Sequence, residues 1–353
     1  MTLTEAERER RSVSTRNEHV ALVVTSISHP NEGLKCLADG AAQRGVRFLL
    51  IGDTRSPTDF VLKGCEFHSV NSQRQSGLRY AELCPERTYA RKNIGYLLAM
   101  RAGAGVVIET DDDNFPRAGF WNRREQRVRG AMVRGGGWLN AYRYFSDSGM
   151  WPRGLPLTEV QKEVPAFETL PEVDTDCPIQ QGLADENPDV DAVYRLLMPL
   201  PQRFRCDRQV ILGEGAWCPF NSQNTTWWAD AFPLMYLPAS CSFRMTDIWR
   251  SFVAQRIAWE NGWSILFHDA TVWQERNEHD LLRDFQDEVP GYLKNAEIAE
   301  FLAKLSLAPG SQSIPKNLHK CYETLIQMGV VGAAELNLLD AWLQDIAAHR
   351  PAP

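Results

Sequence analysis

The segment Gly103-Ala-Gly-Val-Val-Ile-Glu-Thr-Asp-Asp-Asp-Asn114 decides the fold of this chain. Its apolar run, Val106 to Ile108, follows a glycine-containing turn and predicts a strand buried on both faces of a sheet. The run leads into three adjacent carboxylates, Asp111 to Asp113. Because ligands in open α/β sheets bind just beyond the carboxyl ends of the strands, this tripeptide predicts an oxygen-rich site for Mg²⁺ or Mn²⁺. The alternative is an acidic turn, because Asp favours turns through local hydrogen bonds.

The composition is that of an ordinary globular protein. The chain has 353 residues, of which 44% are hydrophobic and 24% are charged, and its net charge is −7. This charge argues against a general nucleic-acid or membrane-surface binder. Eight cysteines occur without a C-x-x-C pair, which indicates free thiols in a reducing compartment. No apolar run is long enough to span a membrane, so we expect a soluble, cytoplasmic protein.

Strands and helices alternate before the acidic segment. His19–Ser28 and Val46–Ile51 are apolar enough for two buried strands, and Gly33–Arg44 has the spacing of an amphipathic helix. Glu66–Val70 predicts a short third strand, and Thr88–Arg101 predicts the next helix. Strand, helix and strand in this order form the repeating unit of a parallel sheet.

Polar side chains at the ends of these elements are candidate ligand contacts. Thr25 and Ser26 end the first strand, and Asp53 follows the second, where α/β folds often place a carboxylate against a nucleoside. Arg91 and Lys92 begin the helix before the acidic segment, where two cations oppose the helix dipole. A bound phosphate would remove this conflict by contacting both side chains and the free backbone N–H groups. Solvated polar turns are the alternative at both places.

The second half of the chain gives weaker signals. Trp138–Phe145 predicts a strand, whereas the proline-rich, acidic residues 146–191 predict a loop-rich flap over a site. Thr246–Asn261 predicts a helix with its own threonine as the N-cap. Ser264–Phe267 predicts a last short strand, and a helical pattern follows from Asp280.

Seven blocks of sequence occur between about residues 20 and 275. The blocks are Tyr89-Ala-Arg-Lys-Asn-Ile-Gly-Tyr-Leu97, Thr110–Asn114, Trp151-Pro-Arg-Gly-Leu-Pro-Leu157, Ile179–Leu183, Pro188–Ala192, Pro219–Thr225 and Ser242–Arg250. In content and order they resemble the STELLO-type glycosyltransferases. That family is similar, more distantly, to the reversibly glycosylated polypeptides, which act as nucleotide-sugar mutases.

This resemblance implies the GT-A glycosyltransferase fold, an α/β architecture with a mostly parallel, nucleotide-binding sheet flanked by helices. We expect a flexible tail at residues 1–17, a transferase domain at 18–279 and a C-terminal helical extension at 280–353. Carried over to this chain, the acidic tripeptide holds the divalent metal, with Asp111 and Asp113 as ligands. The residues expected to contact the nucleotide sugar are Thr25, Ser26, Asp53, Arg91, Lys92, Asp111, Asp112, Arg153, Asn221 and Asn224.

The predicted activity is metal-dependent sugar transfer from a nucleotide-diphosphate sugar, with a UDP-sugar as the expected donor and an unidentified acceptor. Mn²⁺ or Mg²⁺ would stabilise the charge that grows on the leaving diphosphate. Asp247 is the first candidate for the base that takes the acceptor's proton, and Asp185 is the second. His268 and His279 are candidates for a further metal ligand, although a lone histidine near a strand end is more often structural.

Two other functions are compatible with the same blocks. A mutase would break and remake the sugar–diphosphate bond without a separate acceptor, and a non-catalytic partner protein would keep the fold and bind nucleotide only. A nucleotidyltransferase is disfavoured, because Ser28–Glu32 after the first strand is not a glycine-rich phosphate loop.

Overall fold

The computed structural model describes residues 19–275 and 280–349, so the predicted tail at residues 1–17 and His279 lie outside the described residues. Thirteen strands and nine α-helices occur within those ranges, which confirms the predicted α/β class. The strands are β1 (Val20–Thr25), β2 (Arg47–Ile51), β3 (Glu66–His68), β4 (Val106–Thr110), β5 (Asn114–Pro116), β6 (Arg127–Val133), β7 (Gly137–Trp138), β8 (Glu172–Asp176), β9 (Ile179–Asp185), β10 (Gln209–Leu212), β11 (Ala216–Trp217), β12 (Asn224–Trp228) and β13 (Ile265–Gln274). The helices are α1 (Glu32–Arg44), α2 (Val70–Arg74), α3 (Arg79–Leu83), α4 (Lys92–Arg101), α5 (Ala192–Leu197), α6 (Thr246–Glu260), α7 (Leu281–Lys304), α8 (Ile314–Gln327) and α9 (Glu335–His349).

Eleven strands form one sheet in the order β3-β2-β1-β4-β12-β9-β13-β10-β6-β8, with β5 paired to β13 outside this path. The block from β3 to β4 is entirely parallel. Beyond β4 the sheet is mixed, because β12 runs antiparallel to both β4 and β9, whereas β9 and β13 are parallel. The carboxyl ends of β1, β2, β4, β9 and β13 therefore point to one edge of the sheet.

The N-terminal half follows the predicted strand–helix–strand pattern. The run of β1 pairs in register with β2 and β4, for example Leu22 with Phe48 and Ile108. Helix α1 starts because the Asn31 side chain accepts a hydrogen bond from the Leu34 amide, and it ends at Gly45, whose φ of 65° suits glycine. These elements place the loops after β1 and β2 beside the acidic tripeptide that follows β4.

The predicted flap at residues 146–191 is wrong in its last part, because β8 and β9 form there. Strand β9 is buried along its whole length and lies between β12 and β13. Two glutamines interrupt its apolar pattern, so the sequence does not predict a buried strand here. Both are hydrogen-bonded: Gln181 accepts from the Asn221 amide, and Gln180 donates to the Glu125 carbonyl. Buried amides with partners are compatible with a central strand.

Two further boundaries differ from the predictions. Instead of a strand at residues 138–145, the chain forms the short β7 and then a 3-10 helix, Ala141–Tyr144. Thr246 is not the N-cap of α6: Met245 occupies that position without a side-chain bond, and the Thr246 hydroxyl donates to the Ser242 carbonyl. Strand β13 is longer than predicted, since its second half pairs with β5 and β9.

The C-terminal helices α7, α8 and α9 confirm the helical pattern after Asp280 and share the main apolar core of the sheet. Trp342 of α9 is fully buried and contacts Tyr80 and Tyr96 edge to face. The Asp345 carboxylate accepts from the amides of Arg79 and Tyr80 at the start of α3. The division at residue 280 stays a prediction about domains, although these helices pack on the same core.

Within the part of the chain that the structure describes, no helix combines the length and apolarity that crossing a bilayer requires. All eight cysteines are free thiols.

Candidate functional site

A cavity of about 740 Å³ opens at the edge where β1, β2 and β4 end. Its volume lies in the range of small-molecule sites. The predicted residues that line it are Thr25, Ser26, Asp53, Arg91, Asp111, Asp112, Asp113, Arg153 and Asp247. The fold thus brings predicted side chains from three strand ends, a loop and a helix start together in one cavity.

Asp111 is the best anchored member of the tripeptide. Its carboxylate accepts from the Tyr89 hydroxyl at 2.7 Å and from Lys92 Nζ at 3.2 Å. Lys92 is fully buried and also donates to the backbone carbonyls of Thr110 and Ser222. Lys92 therefore neutralises Asp111 from inside the fold, which is a different role from the predicted phosphate contact.

Asp112 is fixed by the first strand and the first helix. Its Oδ2 accepts from the Ser26 hydroxyl at 2.5 Å, and its carbonyl accepts from the Asn31 side chain at 2.9 Å. A Cβ at Gly33 would come within 2.9 Å of the same carbonyl, so only glycine lets α1 approach this closely. Ser26 thus fixes the position of the Asp112 carboxylate.

Asp113 carries the least compensated charge of the three. The Gln274 amide donates to its carboxylate at 3.0 Å. Burial, together with the negative charge of neighbouring Asp111, raises the pKa of Asp113 to about 7. A cation at this position would remove the repulsion, and the oxygen-only donors suit Mg²⁺ or Mn²⁺. The described residues contain no group of three or more His, Cys, Asp or Glu side chains already arranged around a metal position.

Arg91 reaches the cavity wall, but its guanidinium is used inside the protein. It is 1% exposed and donates to Gln73 Oε1 and to the carbonyls of Cys84 and Pro85. These bonds tie the start of α4 to α2 and to the segment after α3. The predicted phosphate site at this helix start is therefore not supported by the side-chain geometry.

Sequence reasoning missed four arginines that line the cavity, Arg55, Arg87, Arg195 and Arg244. Of these, Arg55 and Arg87 are exposed. Within residues 19–275 and 280–349, neither has a recorded hydrogen bond or ion pair. Arg87 also has a φ of 57°, a left-handed conformation that non-glycine residues adopt rarely and often at functional sites. A signal was present in the sequence, since Arg55 lies two residues after Asp53 and Arg87 precedes the block that starts at Tyr89.

Arg153 is held between two carboxylates at the cavity wall. Its Nε and Nη2 donate to Asp189 at 2.7 and 2.9 Å, and its Nη1 and Nη2 donate to Asp247 at 3.0 and 2.9 Å. All three side chains are nearly buried. The predicted sugar-site arginine therefore lies at the cavity, but its charge is fully paired. Asp189 is a lining residue that sequence reasoning missed.

Asp247 has the properties of an ion-pair partner. Burial raises the pKa of this carboxyl, but Arg153 outweighs burial, so the pKa lies below its ordinary value. The Ser222 amide and hydroxyl donate to the same carboxylate at 3.2 and 3.3 Å. A general base works best with a pKa near the working pH, so this environment does not favour the predicted role in proton abstraction.

Asp185 does not line the cavity. It lies at the end of β9, where its carboxylate pairs with Arg117 at 2.8 Å and accepts from the Phe204 amide at 2.9 Å. Burial raises its pKa. Its contacts make it a positioning group for Arg117, and they give no support to its prediction as a base.

The two predicted asparagines and His268 also lie behind the cavity surface. Asn221 donates to Asp189 at 2.8 Å, and Asn224 donates to the Leu183 carbonyl at 2.9 Å. The His268 ring is buried beside Asp269, and burial lowers its pKa. Asn221 positions a lining carboxylate. Asn224 and His268 line neither the cavity nor any other described cleft, and both are hydrogen-bonded to protein groups.

Asp53 takes the place predicted for a nucleoside contact. It lines the cavity and is partly exposed, while its Oδ1 accepts from the Thr54 amide. The hydroxyl of Ser56 donates to the Ser26 carbonyl at 2.7 Å, which joins the loops after β1 and β2. Asp53 therefore lies on a loop held by Ser56, and its second carboxylate oxygen has no hydrogen bond within the described part of the chain.

The comparisons with known proteins agree with the predicted resemblance. Residues 244–350 match the family model of the STELLO glycosyltransferases. Two proteins of Arabidopsis thaliana, named Probable glycosyltransferase STELLO2 and Probable glycosyltransferase STELLO1, are 31% and 29% identical to this chain. The alignments cover 92% and 93% of this chain but 44% of each relative, so the chain spans less than half the length of these proteins.

Among solved structures, a crystal structure of a mycobacterial protein aligns with a TM-score of 0.43 at 9% identity and covers 84% of this chain and 80% of that chain. The sequence similarity to the Arabidopsis proteins extends over most of this chain. On that evidence, the chain is a homologue of the STELLO glycosyltransferases.

Proposed function

We propose that this chain is a glycosyltransferase that binds a nucleotide-diphosphate sugar, with a UDP-sugar as the first donor to test. The observation that carries the proposal is the combination, in one cavity, of the Asp111–Asp113 carboxylates with the exposed cations Arg55 and Arg87, which have no ion-pair partner among residues 19–275 and 280–349. Carboxylates bind divalent cations, and arginines bind phosphate oxygens. A nucleotide sugar with its metal ion carries both kinds of charge, so it complements both sets of groups.

A divalent cation, Mn²⁺ or Mg²⁺, fits the donors at this position, and Asp111 and Asp113 would hold it. Burial and the repulsion from Asp111 raise the pKa of Asp113, which supports this assignment because a bound cation would stabilise the charged carboxylate. When bound, the ion supplies charge stabilisation for a leaving diphosphate. Lys92 already balances one carboxylate charge and keeps Asp111 oriented.

The protein's own residues would act mainly on the diphosphate. In the transfer, the acceptor oxygen bonds to the anomeric carbon, and the bond from that carbon to the diphosphate breaks. The electron pair of that bond leaves with the diphosphate, and the acceptor's proton passes to solvent water. Arg55 and Arg87 would bind the oxygens on which the charge grows. Asp53 would orient the nucleoside from the end of β2.

A nucleotide-sugar mutase is the second candidate, and the state of Asp247 favours it. This carboxylate is held by Arg153 with a lowered pKa, so it is a poor base for an external acceptor. A rearrangement of the sugar on its own diphosphate does not need to activate an external acceptor hydroxyl.

The test is a thermal-shift panel of UDP, UDP-sugars and other nucleotide sugars, with and without Mn²⁺. A ligand at 100 times its dissociation constant adds about 2.7 kcal/mol to the stability, so binding should raise the melting temperature visibly. No shift with any nucleotide in the presence of metal would contradict the substrate class. Incubation of each hit with donor alone, followed by chromatography of the sugar, separates a mutase from a transferase. Binding without any turnover would indicate a non-catalytic nucleotide-binding protein.

A further inference from the structure

A second cleft, of about 730 Å³, opens on the same edge of the sheet. It lies where the parallel strands β9 and β13 end, with Glu186 following β9 and Trp273 near the end of β13. Gln274 lines both this cleft and the first cavity, and its amide binds Asp113 at 3.0 Å. The cleft is therefore separated from the acidic tripeptide by one side chain.

Trp273 gives the cleft a flat apolar surface. Its ring is partly exposed and stacks on Phe115, its cross-strand partner, with the ring centroids 4.2 Å apart and an angle of 12° between the planes. The stack holds the indole in one orientation, so the Trp273 side chain loses little further conformational freedom when a ligand packs on it. Such a surface suits the apolar face of a sugar ring or another flat group.

Both arginines that line the cleft have a carboxylate partner, and the carboxylate of Glu275 also lines it. Arg203 contacts Glu186 at 2.7 Å, and Arg117 contacts Asp185 at 2.8 Å. Since each arginine has a carboxylate partner, the cleft offers hydrogen-bond donors and acceptors without an unpaired cation for phosphate. This chemistry favours a neutral, polyhydroxylated ligand over a phosphorylated one.

Glu186 holds an unusual backbone conformation at this cleft. Its φ is 69°, and its amide and carbonyl are both hydrogen-bonded to Gln202, at 2.7 and 3.1 Å. A left-handed conformation at a non-glycine residue is costly and tends to persist where the surrounding structure fixes a functional side chain. Here it fixes the carboxylate that pairs with Arg203 at the mouth of the cleft.

We propose that this cleft binds the acceptor, a neutral carbohydrate, with Trp273 packing against a sugar ring and Glu186 and Arg203 binding its hydroxyls. The proposal rests on the proposed transferase function, because it assigns the second substrate of that reaction. An acceptor in the cleft would lie beside Gln274 and so close to a donor held at the acidic tripeptide. The paired Asp185 then acts by orienting Arg117 at the cleft.

The experiment measures binding of two probe sets to the whole chain. The first probe is UDP with Mn²⁺. The second is a panel of methyl α- and β-glycosides of glucose, galactose, mannose, xylose and arabinose. Saturation-transfer NMR measures the binding of each glycoside with and without UDP. We expect at least one glycoside to bind wild type. Trp273→Ala should weaken it by about tenfold or more, because the variant removes the aromatic surface on which the sugar ring packs. The affinity for UDP should stay within about twofold of wild type.

Arg203→Ala provides a second variant, since its side chain is exposed and its loss should not disturb the sheet. It should weaken the same glycoside several-fold. Phe301→Ala, an exposed aromatic of α7 that lines neither cavity, is the control and should change nothing. The proposal is overturned if no glycoside binds, or if binding survives in both Trp273→Ala and Arg203→Ala. Failure of UDP alone would overturn the proposed function instead, because the glycosides are also measured without UDP.

Discussion

At the scale of single residues, Asp113 has the charge that the fold compensates least. Asp113→Asn keeps the shape of the side chain and removes a buried charge next to Asp111. We therefore expect the metal-free variant to be at least as stable as wild type. The stabilisation by UDP with Mn²⁺ should fall, and any turnover should drop by about a hundredfold or more. Thermal melting with and without metal, and a turnover assay, measure both effects.

The matched control for Asp113→Asn is Asp207→Asn, which removes an exposed carboxylate in the loop before β10. It should leave metal response and turnover unchanged. If Asp113→Asn responded to metal like wild type, the tripeptide would be an acidic turn with no role in binding a cation.

Arg87 is the second residue for which we predict an effect on nucleotide binding. It lines the cavity with no recorded ion-pair partner among the described residues, in a strained backbone conformation. Arg87→Ala should weaken UDP by about tenfold, because a charge-assisted hydrogen bond contributes roughly 1.5–3 kcal/mol and part of this is lost to solvent screening. The affinity for uridine, which has no phosphate, should not change. Isothermal titration of both ligands measures the difference.

Arg79→Ala is the control for Arg87→Ala, since Arg79 is also exposed but pairs with Glu82 on α3. It should bind UDP like wild type. Equal losses for UDP and uridine in Arg87→Ala would mean that the arginine supports the loop rather than the phosphates.

At the scale of elements, the helix α4 positions Lys92 by packing closely on the sheet. A Cβ at Gly95 would come within 2.5 Å of Val23 Cγ1 and 2.8 Å of Ile51 Cγ1. Gly95→Ala should therefore destabilise the protein by about 1–3 kcal/mol, although alanine favours helix by up to about 1 kcal/mol. Urea unfolding measures the change.

The elements that the sequence predicted are those whose stability is local or uniformly apolar. Strands β1, β2 and β4 are continuous apolar runs, and α1 has an N-cap and a glycine at its C-cap, so their signals lie within a few residues. Strand β9 could not be found in this way. Its glutamines are stabilised by Asn221 and by the Glu125 carbonyl, which are distant in sequence, and its hydrophobic period is interrupted by them.

The same distinction holds for the candidate site. Thr25, Ser26, Asp53 and the acidic tripeptide follow strands of one parallel block, so topology alone places them together. The roles of Arg91, Lys92 and Asp185 depended on which partners tertiary packing brings to them, and the structure pairs all three with protein groups. Asp189 and Arg87 reach the cavity through loops whose course the local sequence does not determine.

At the scale of the whole molecule, one hydrogen-bonded chain joins segments that are far apart in sequence. The Tyr89 hydroxyl donates to Asp111 at 2.7 Å and lies 2.8 Å from the Ser222 hydroxyl, and the Ser222 backbone amide donates to Asp247 at 3.2 Å. Asp247 holds Arg153, which also binds Asp189. The end of β4, the start of β12 and the start of α6 are thus fixed to one another around the cavity.

Asp247→Asn tests whether this link is structural. The variant leaves the buried Arg153 with one charged partner, Asp189, so we expect a loss of about 3 kcal/mol at pH 7, as for other broken buried pairs. The folded-state pKa of Asp247 lies below its unfolded value. Its stabilising contribution is therefore present above the unfolded pKa, near pH 4, and is lost as the pH falls through the folded value.

The difference in unfolding free energy between wild type and Asp247→Asn should consequently be largest near neutral pH and shrink below about pH 4. Urea unfolding at several pH values measures it. Titration of UDP with Mn²⁺ and a turnover assay on the same variant complete the test. A variant with wild-type stability and UDP affinity but turnover reduced by about 10²–10⁴ would contradict the structural role and restore Asp247 as the base. A less stable variant that retains turnover would instead assign its carboxylate to the network that holds Arg153.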